Sequence, residues 1–184
     1  MRAVVQRVSG ANVVVDGAVV GAIDIGFVVF VCAMSGDGPA DEAWLLDKLL
    51  ALRVFPDAAG KMSRGLADLH ADQQAGGMGP GLLAISQFTL SADLSPGRSK
   101  GNRPSFTAAM APDAARDACD RFAAGARAKC PWLKVAAGVF GADMKVSLVN
   151  DGPVTLWLDS RPAPNEKTAG ASPAPPSAPD GANS

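Results

Sequence analysis

Ser86, Gln87 and Thr89 stand within four residues of one another, with Phe88 between them, directly after the apolar run 82–85. A hydroxyl in such a group can act as a nucleophile if a base lies beside it, and the amide and main-chain N–H groups can bind a polar substrate. A second compact polar group, Asn150-Asp151-Gly152-Pro153, separates two Val- and Leu-rich runs. Between strands a Gly-Pro pair commonly serves only as a turn, since Gly supplies unusual backbone angles and Pro fixes φ. The usual catalytic sets are missing. The single histidine, His70, lies in a stretch read as a solvated loop, which argues against a Ser-His-Asp triad. Cys32, Cys119 and Cys130 are scattered, with no metal-ligand spacing. The glycine-dense stretch 76–81 lacks the Lys-Ser/Thr of a phosphate loop and leads into a strand, so it reads as a turn. No metal and no cofactor is expected. A hydrolase built from this set must rely on positioning and on backbone donors.

Those residues need a scaffold, and apolar periodicity outlines one. Residues 1–8 and 11–15 read as extended, and Asp16-Gly17 marks a hairpin into 18–20, because a type I′ turn needs positive φ at both central positions. Residues 26–34 form a nearly continuous apolar run of strand length, as expected of a buried central strand. Residues 82–87 are a second buried strand, and 144–149 and 154–158 are the last two. Residues 39–52 read as a helix, with Pro39, Asp41 and Glu42 in its first turn and Trp44, Leu45, Leu49 and Leu52 on one face. Residues 112–129 read as a second helix with a stripe of Ala115, Cys119, Phe122 and Ala126. This is an α+β domain with many strands and two main helices on one side.

The chain has 184 residues, 48% hydrophobic and 19% charged, which suits one domain with an ordinary core. Seventeen basic and 18 acidic side chains make it nearly neutral. That balance argues against coating long nucleic acid and against a DNA-binding role, though an enzyme gripping only the end of an RNA remains open. No apolar run reaches membrane-spanning length, no signal-peptide layout is evident, and the odd set of cysteines suits a reducing compartment, so a cytoplasmic location is expected. Residues 1–161 are read as the folded domain. Residues 162–184, dominated by Pro, Ala, Ser and Gly without a large apolar side chain, are read as a disordered tail.

The order of several segments resembles one family. They are Gln6-Arg7-Val8 near the start, Phe55-Pro56-Asp57, Gly60-Lys61-Met62, Gln74-Ala75-Gly76-Gly77, residues 86–90, Arg103-Pro104-Ser105-Phe106 and residues 144–157. Together they resemble the D-aminoacyl-tRNA deacylases, the D-tyrosyl-tRNA(Tyr) deacylase family. Three stretches depart from its pattern: an apparent inserted loop at 64–72, a longer and more basic 94–102, and the residues after 159. The resemblance implies a curled, barrel-like mixed sheet, a homodimer, and hydrolysis of the ester joining a D-amino acid to the 3′ end of tRNA. It implies that mischarged glycyl-tRNA, such as Gly-tRNA(Ala), is accepted too.

The resemblance also assigns roles. The backbone N–H groups of Phe88 and Thr89 would face the reacting carbonyl, while a substrate ribose hydroxyl promotes attack by water. Phe140 and Met144 would lie near the terminal adenosine; Ser86 and Gln87 can hold that adenosine or the amino group, or equally satisfy neighbouring backbone. The Gly152–Pro153 bond would be cis and would enter the partner's site, where its carbonyls exclude an L side chain; Arg7 would lock that turn. The residues themselves leave other readings open. Thr89 can be a nucleophile or a plain strand residue, Arg7 a surface cation, and Met144 core packing. Arg98, Lys100 and Arg103 can be a solvated loop or a contact to tRNA phosphates. An RNA 3′-end binding module without chemistry, and a Thr-nucleophile esterase for another acyl ester, are the competing functions.

Overall fold

A computed structural model describes residues 1–74, 79–95 and 102–161. The Gly76–Gly77 part of the glycine-dense stretch, Arg98 and Lys100 of the basic cluster, and the tail after residue 161 lie outside the described residues.

Strand β1 (Arg2–Val15) is the spine of the sheet. It turns at Asp16 and Gly17, with φ of 50° and 80°, into β2 (Ala18–Ile23), as the Asp-Gly signal predicts. Along its first half it pairs antiparallel with β3 (Gly26–Cys32). A register irregularity between Val8 and Gly10 shifts the side-chain phase. Ala3, Val5 and Arg7 therefore point to one side of the sheet, while Val8, Ala11 and Val13 share the other.

Helix α1 (Pro39–Leu50) follows, started by Pro39 and by the Asp41 carboxylate accepting the Gly38 N–H at 3.0 Å. Its buried face is Leu45, Leu46 and Leu49. Trp44, expected on that face, is 37% exposed, because Leu46 rather than Trp44 adjoins the Leu45–Leu49 stripe and Leu52 lies past the last turn. Next come the short strands β4 (Phe55–Pro56) and β5 (Met62–Arg64), with Phe55 stacked on Phe27 of β3.

The segment read as an inserted loop holds a helix, α2 (Leu66–Gln74). The Asp68 carboxylate caps it by accepting the Gly65 N–H at 2.7 Å, and Leu66 and Leu69, three apart, bury one side. His70 is accordingly not a loop residue: it is half-buried on α2, with its ring stacked on Trp132 at 4.7 Å. Among the described residues, this short helix stands beside the two main ones.

Strand β6 (Gly81–Ser86) runs parallel to β3, with Gly26 against Gly81. A side chain at Gly26, where φ is +152°, would collide with the Gly81 backbone, so the two strands meet there only because residue 26 is glycine, while a Cβ on Gly81 would strike Ile23 instead. A 3₁₀ turn, Phe88–Ser91, ends this strand. Helix α3 (Pro112–Lys129) lies against α1, and its small residues allow close approach: a Cβ on Gly125 would come 2.9 Å from Leu46. Strand β7 (Lys134–Ala137) joins β6 in parallel. Strand β8 (Lys145–Asp159) returns antiparallel along almost the whole of β1.

The sheet order is β2-β1-β3-β6-β7, with β8 on the other edge of β1. The sheet curls until β2 nears β7: a Cβ on Gly21 would lie 2.9 Å from the Ala137 carbonyl. The result is a nearly closed barrel. Val8, Val13, Ile23, Val28, Leu83 and Ile85 fill its inside, and Phe27, Val29, Leu82 and Ala84 face all three helices. The alternation of β3 and β6 between these two clusters explains why both read as unbroken apolar runs.

Candidate active site

Parallel strands β3 and β6 both end at one mouth, where the main chain must leave the sheet. At that end lies a pocket of about 730 Å³, closed by the 3₁₀ turn, the start of α3 and the loop that leads into β8. Ser86, Gln87, Phe88, Phe140 and Met144 all line it. Residues far apart in sequence are therefore brought to one cavity, as the resemblance implies. Thr89, the next residue, is not one of the lining residues, and its Oγ1 accepts a hydrogen bond from Gln87 Nε2 at 2.5 Å.

The main chain around Phe88 has the form that an anion site needs. The Gln87 N–H donates to the Val31 carbonyl at 2.7 Å, the Leu90 N–H to Gln87 O at 3.2 Å and the Ala92 N–H to Thr89 O at 3.0 Å. Among the described residues no acceptor takes the N–H of Phe88 or of Thr89. Two successive donors thus stand unsatisfied at the start of a turn. The Phe88 ring, 58% exposed, packs edge-on against Phe106 at 5.1 Å.

The opposite wall is Phe140 and Met144. Arg116 of α3 covers Phe140, its guanidinium carbon 4.8 Å from the ring centre. Met144 lies over Gly138, where any Cβ would strike its sulfur; the bare glycine makes room for the thioether. Neither Arg116 nor Gly138 stood out in the sequence, because an Arg in a helix and a Gly after a strand carry no signature by themselves.

Among the described residues the lining holds no histidine and one carboxylate, Asp143, which is exposed and paired with Lys145 at 2.7 Å. Two thiols line it. Burial pushes the Cys119 thiol up to about 11 and raises Cys32 too, so both stay protonated near neutral pH and are poor nucleophiles. The pocket therefore offers oriented N–H donors, an amide, a hydroxyl and an aromatic face rather than a side-chain base.

Gly152, Pro153 and Arg7 are elsewhere; none of the three lines the pocket of its own chain. The expected two last strands are one strand by pairing, with residues 151–154 looped out between Val8↔Asn150 and Gln6↔Thr155. The Gly152–Pro153 bond is cis, as the resemblance implies, and both residues are exposed. Arg7, only 7% exposed, is not a surface cation. Its Nε donates to the Asp151 carbonyl at 2.9 Å and lies 3.2 Å from the Asp151 carboxylate, and its Nη1 donates to the Val54 carbonyl. Asn150 closes the loop, its Oδ1 accepting the Val154 N–H and its Nδ2 donating to Thr155 Oγ1, each at 2.9 Å. Arg103 is exposed and lies outside the pocket lining. No helix among the described residues is long and apolar enough to cross a membrane.

Residues 4–159 match the D-Tyr-tRNA(Tyr) deacylase family. The chain is 51% identical over 162 residues to the D-aminoacyl-tRNA deacylase of Janthinobacterium sp. (strain Marseille), spanning 88% of this chain and 99% of that one. It is 53% identical over 163 residues to its counterpart in Polaromonas sp. (strain JS666 / ATCC BAA-500), spanning 89% and 99%. Among solved structures, one titled c-Myc DNA Unwinding Element Binding Protein superposes with a TM-score of 0.73 at 37% identity, covering 89% of this chain and all of that one. A probable eukaryotic D-amino acid tRNA deacylase superposes with a TM-score of 0.66 at 17% identity over 86% of this chain, a likeness of fold.

Proposed function

The chain belongs to the D-Tyr-tRNA(Tyr) deacylase family and is an ester hydrolase of the D-aminoacyl-tRNA deacylase kind; from that premise we propose how its pocket works. The terminal adenosine enters against Phe140 and Met144, with the adenine on the open face of the Phe140 ring. The ester carbonyl lies at the N–H groups of Phe88 and Thr89. As water attacks, negative charge grows on the carbonyl oxygen, and the two fixed donors stabilise it with little reorganisation. The proton of that water passes by way of the ribose hydroxyl beside the ester, which is why the pocket needs no base of its own. Ser86 and Gln87 hold the aminoacyl group. The products are free amino acid and tRNA.

The single observation that carries this reading is the pair of adjoining N–H groups, of Phe88 in the lining and of Thr89 beside it, with no acceptor among the described residues, at a cavity that Phe140 also lines. It is favoured over a Thr89 nucleophile because the partner of Thr89 Oγ1 is an amide, which cannot take a proton. Thr89→Ala is accordingly expected to keep kcat/KM within about tenfold of wild type, since loss of a true oxyanion donor typically costs ~10²–10³. Single-turnover deacylation of D-aminoacyl-tRNA measures it. Accumulation of an acyl-Thr89 adduct would reverse the assignment.

Selectivity is proposed to come from a second copy. The 151–154 loop is exposed, outside its own pocket and fastened by Arg7 and Asn150, which suits a rigid probe inserted into a twofold partner. Main-chain carbonyls of Gly152 and Pro153 would then stand where an L side chain must go, leaving space for a D side chain. Glycine has no side chain to reject, so glycyl-tRNA, including Gly-tRNA(Ala), is proposed as a further substrate.

A further inference from the structure

The carbonyl of Phe88 and the N–H of Thr89 belong to one planar peptide unit, so whatever grips the carbonyl also sets the direction of the N–H. That carbonyl is gripped by two side chains. Ser91, 1% exposed, donates its hydroxyl to Phe88 O at 2.7 Å. Cys32, also 1% exposed, places its sulfur 3.6 Å from the same oxygen, as well as 3.6 Å from Ala33 O. Arg2 of β1 donates to the next-but-one carbonyl, Leu90 O, at 3.1 Å, which ties the turn to the sheet. Beside Arg7, Ser91 is the one polar residue buried as a whole among the described residues, and its bond serves no strand or helix end other than this turn.

We propose that Ser91, assisted by Cys32, is a positioning residue for hydrolysis: it fixes the Phe88–Thr89 peptide plane so that the Thr89 N–H points at the developing oxyanion. The inference rests on the backbone-donor reading given above. Two physical effects act together. A hydrogen bond weakens steeply once its angle falls below about 120°, so a peptide free to rock about its two flanking dihedrals delivers less stabilisation. A carbonyl that accepts a hydrogen bond also polarises its own amide, which strengthens the N–H as a donor. Cys32, kept protonated by its burial, has one weak S–H donor that the same oxygen shares with Ala33 O and Met34 Sδ. Ser91 does not line the pocket, and Cys32 lines it without a charge or a base to offer.

The test is steady-state and single-turnover kinetics on D-aminoacyl-tRNA with Ser91→Ala, Ser91→Thr and Cys32→Ala, well below the melting temperature of each. Ser91→Ala is expected to lose roughly ten- to a hundredfold in kcat, short of the ~10²–10³ for deleting a donor outright, with KM unchanged. Ser91→Thr, which keeps the hydroxyl, is expected to restore kcat. Cys32→Ala is expected to show a smaller kcat loss, again without a KM change. The ¹⁵N resonance of the Thr89 amide is expected to move in Ser91→Ala and return in Ser91→Thr. Wild-type kcat in Ser91→Ala overturns the proposal, as does an unmoved Thr89 amide. Should Ser91→Ala fail to fold, wild-type kcat in Cys32→Ala overturns it instead. Absence of D-aminoacyl-tRNA hydrolysis by the wild-type protein is a different result, which would remove the reading on which the proposal rests.

Discussion

Replacing Gly152 with alanine is expected to lower kcat/KM for D-aminoacyl-tRNA by about a hundredfold and to narrow the gap between D and L substrates. The backbone at Gly152 has φ of +122°, a region that costs an L residue ~1–3 kcal/mol. A Cβ there would also strike Arg7 Nη2 and come 3.1 Å from Val154 Cγ2. Arg7 cannot yield cheaply, because the same guanidinium holds the Asp151 carbonyl and carboxylate and the Val54 carbonyl in a nearly dry setting. The 151–154 loop must therefore move, and a displacement near 1 Å at a positioning element can cost ~10²-fold in rate. Melting temperature should fall by only a few degrees per kcal/mol lost, since the loop is exposed and the core is untouched. The ratio of kcat/KM for matched D and L esters is the measurement. A folded Gly152→Ala protein with the wild-type ratio would mean that this loop is only a turn.

Phe140→Ala is expected to raise KM by roughly 5- to 150-fold with little change in kcat. Stacking of a base on an aromatic ring is worth ~1–3 kcal/mol, and Phe140 offers the pocket an aromatic face already backed by Arg116. A fall in kcat at constant KM would contradict the adenosine assignment. The two variants together also test the twofold arrangement. In a mixed population, a hybrid dimer of Gly152→Ala and Phe140→Ala subunits has one site with an intact pocket and an intact partner loop. Random exchange should then restore roughly a quarter of wild-type activity. If mixing restores nothing, or scattering gives the mass of one chain at full activity, each loop does not serve a partner's site.

The sequence was most legible where a local rule and the tertiary fold agree. Asp16-Gly17 demanded positive φ and obtained it, and α3 has the bounds that its periodicity and Pro112 predict. Helix α2 escaped notice because it spans nine residues with only Leu66 and Leu69 as an apolar stripe; its capping signal is an Asp reaching back to Gly65. His70 was misplaced for the same reason. Trp44 was placed on one face with Leu45, Leu49 and Leu52, whereas the 100° step between residues sets Leu46 closer to the Leu45–Leu49 stripe. In the site, Ser86, Gln87, Phe88, Phe140 and Met144 were found through the order of short motifs. Periodicity alone would not bring residue 140 to residue 88. Cys32, Gly138 and Ser91 could not be found that way. Cys32 meets the Phe88 carbonyl only because the fold brings them together, while the contacts of Ser91 with that carbonyl and of Gly138 with the Met144 sulfur are local but carry no sequence signature.

The most direct test of the account is the hydrolysis of three matched substrates by the wild-type protein: one tRNA charged with a D-amino acid, with its L enantiomer and with glycine. The account predicts rapid release of the D-amino acid and of glycine, with the L ester decaying at its uncatalysed rate. Equal hydrolysis of D and L esters would contradict selection by exclusion, and hydrolysis of neither would contradict the catalytic role of the Phe88–Thr89 backbone.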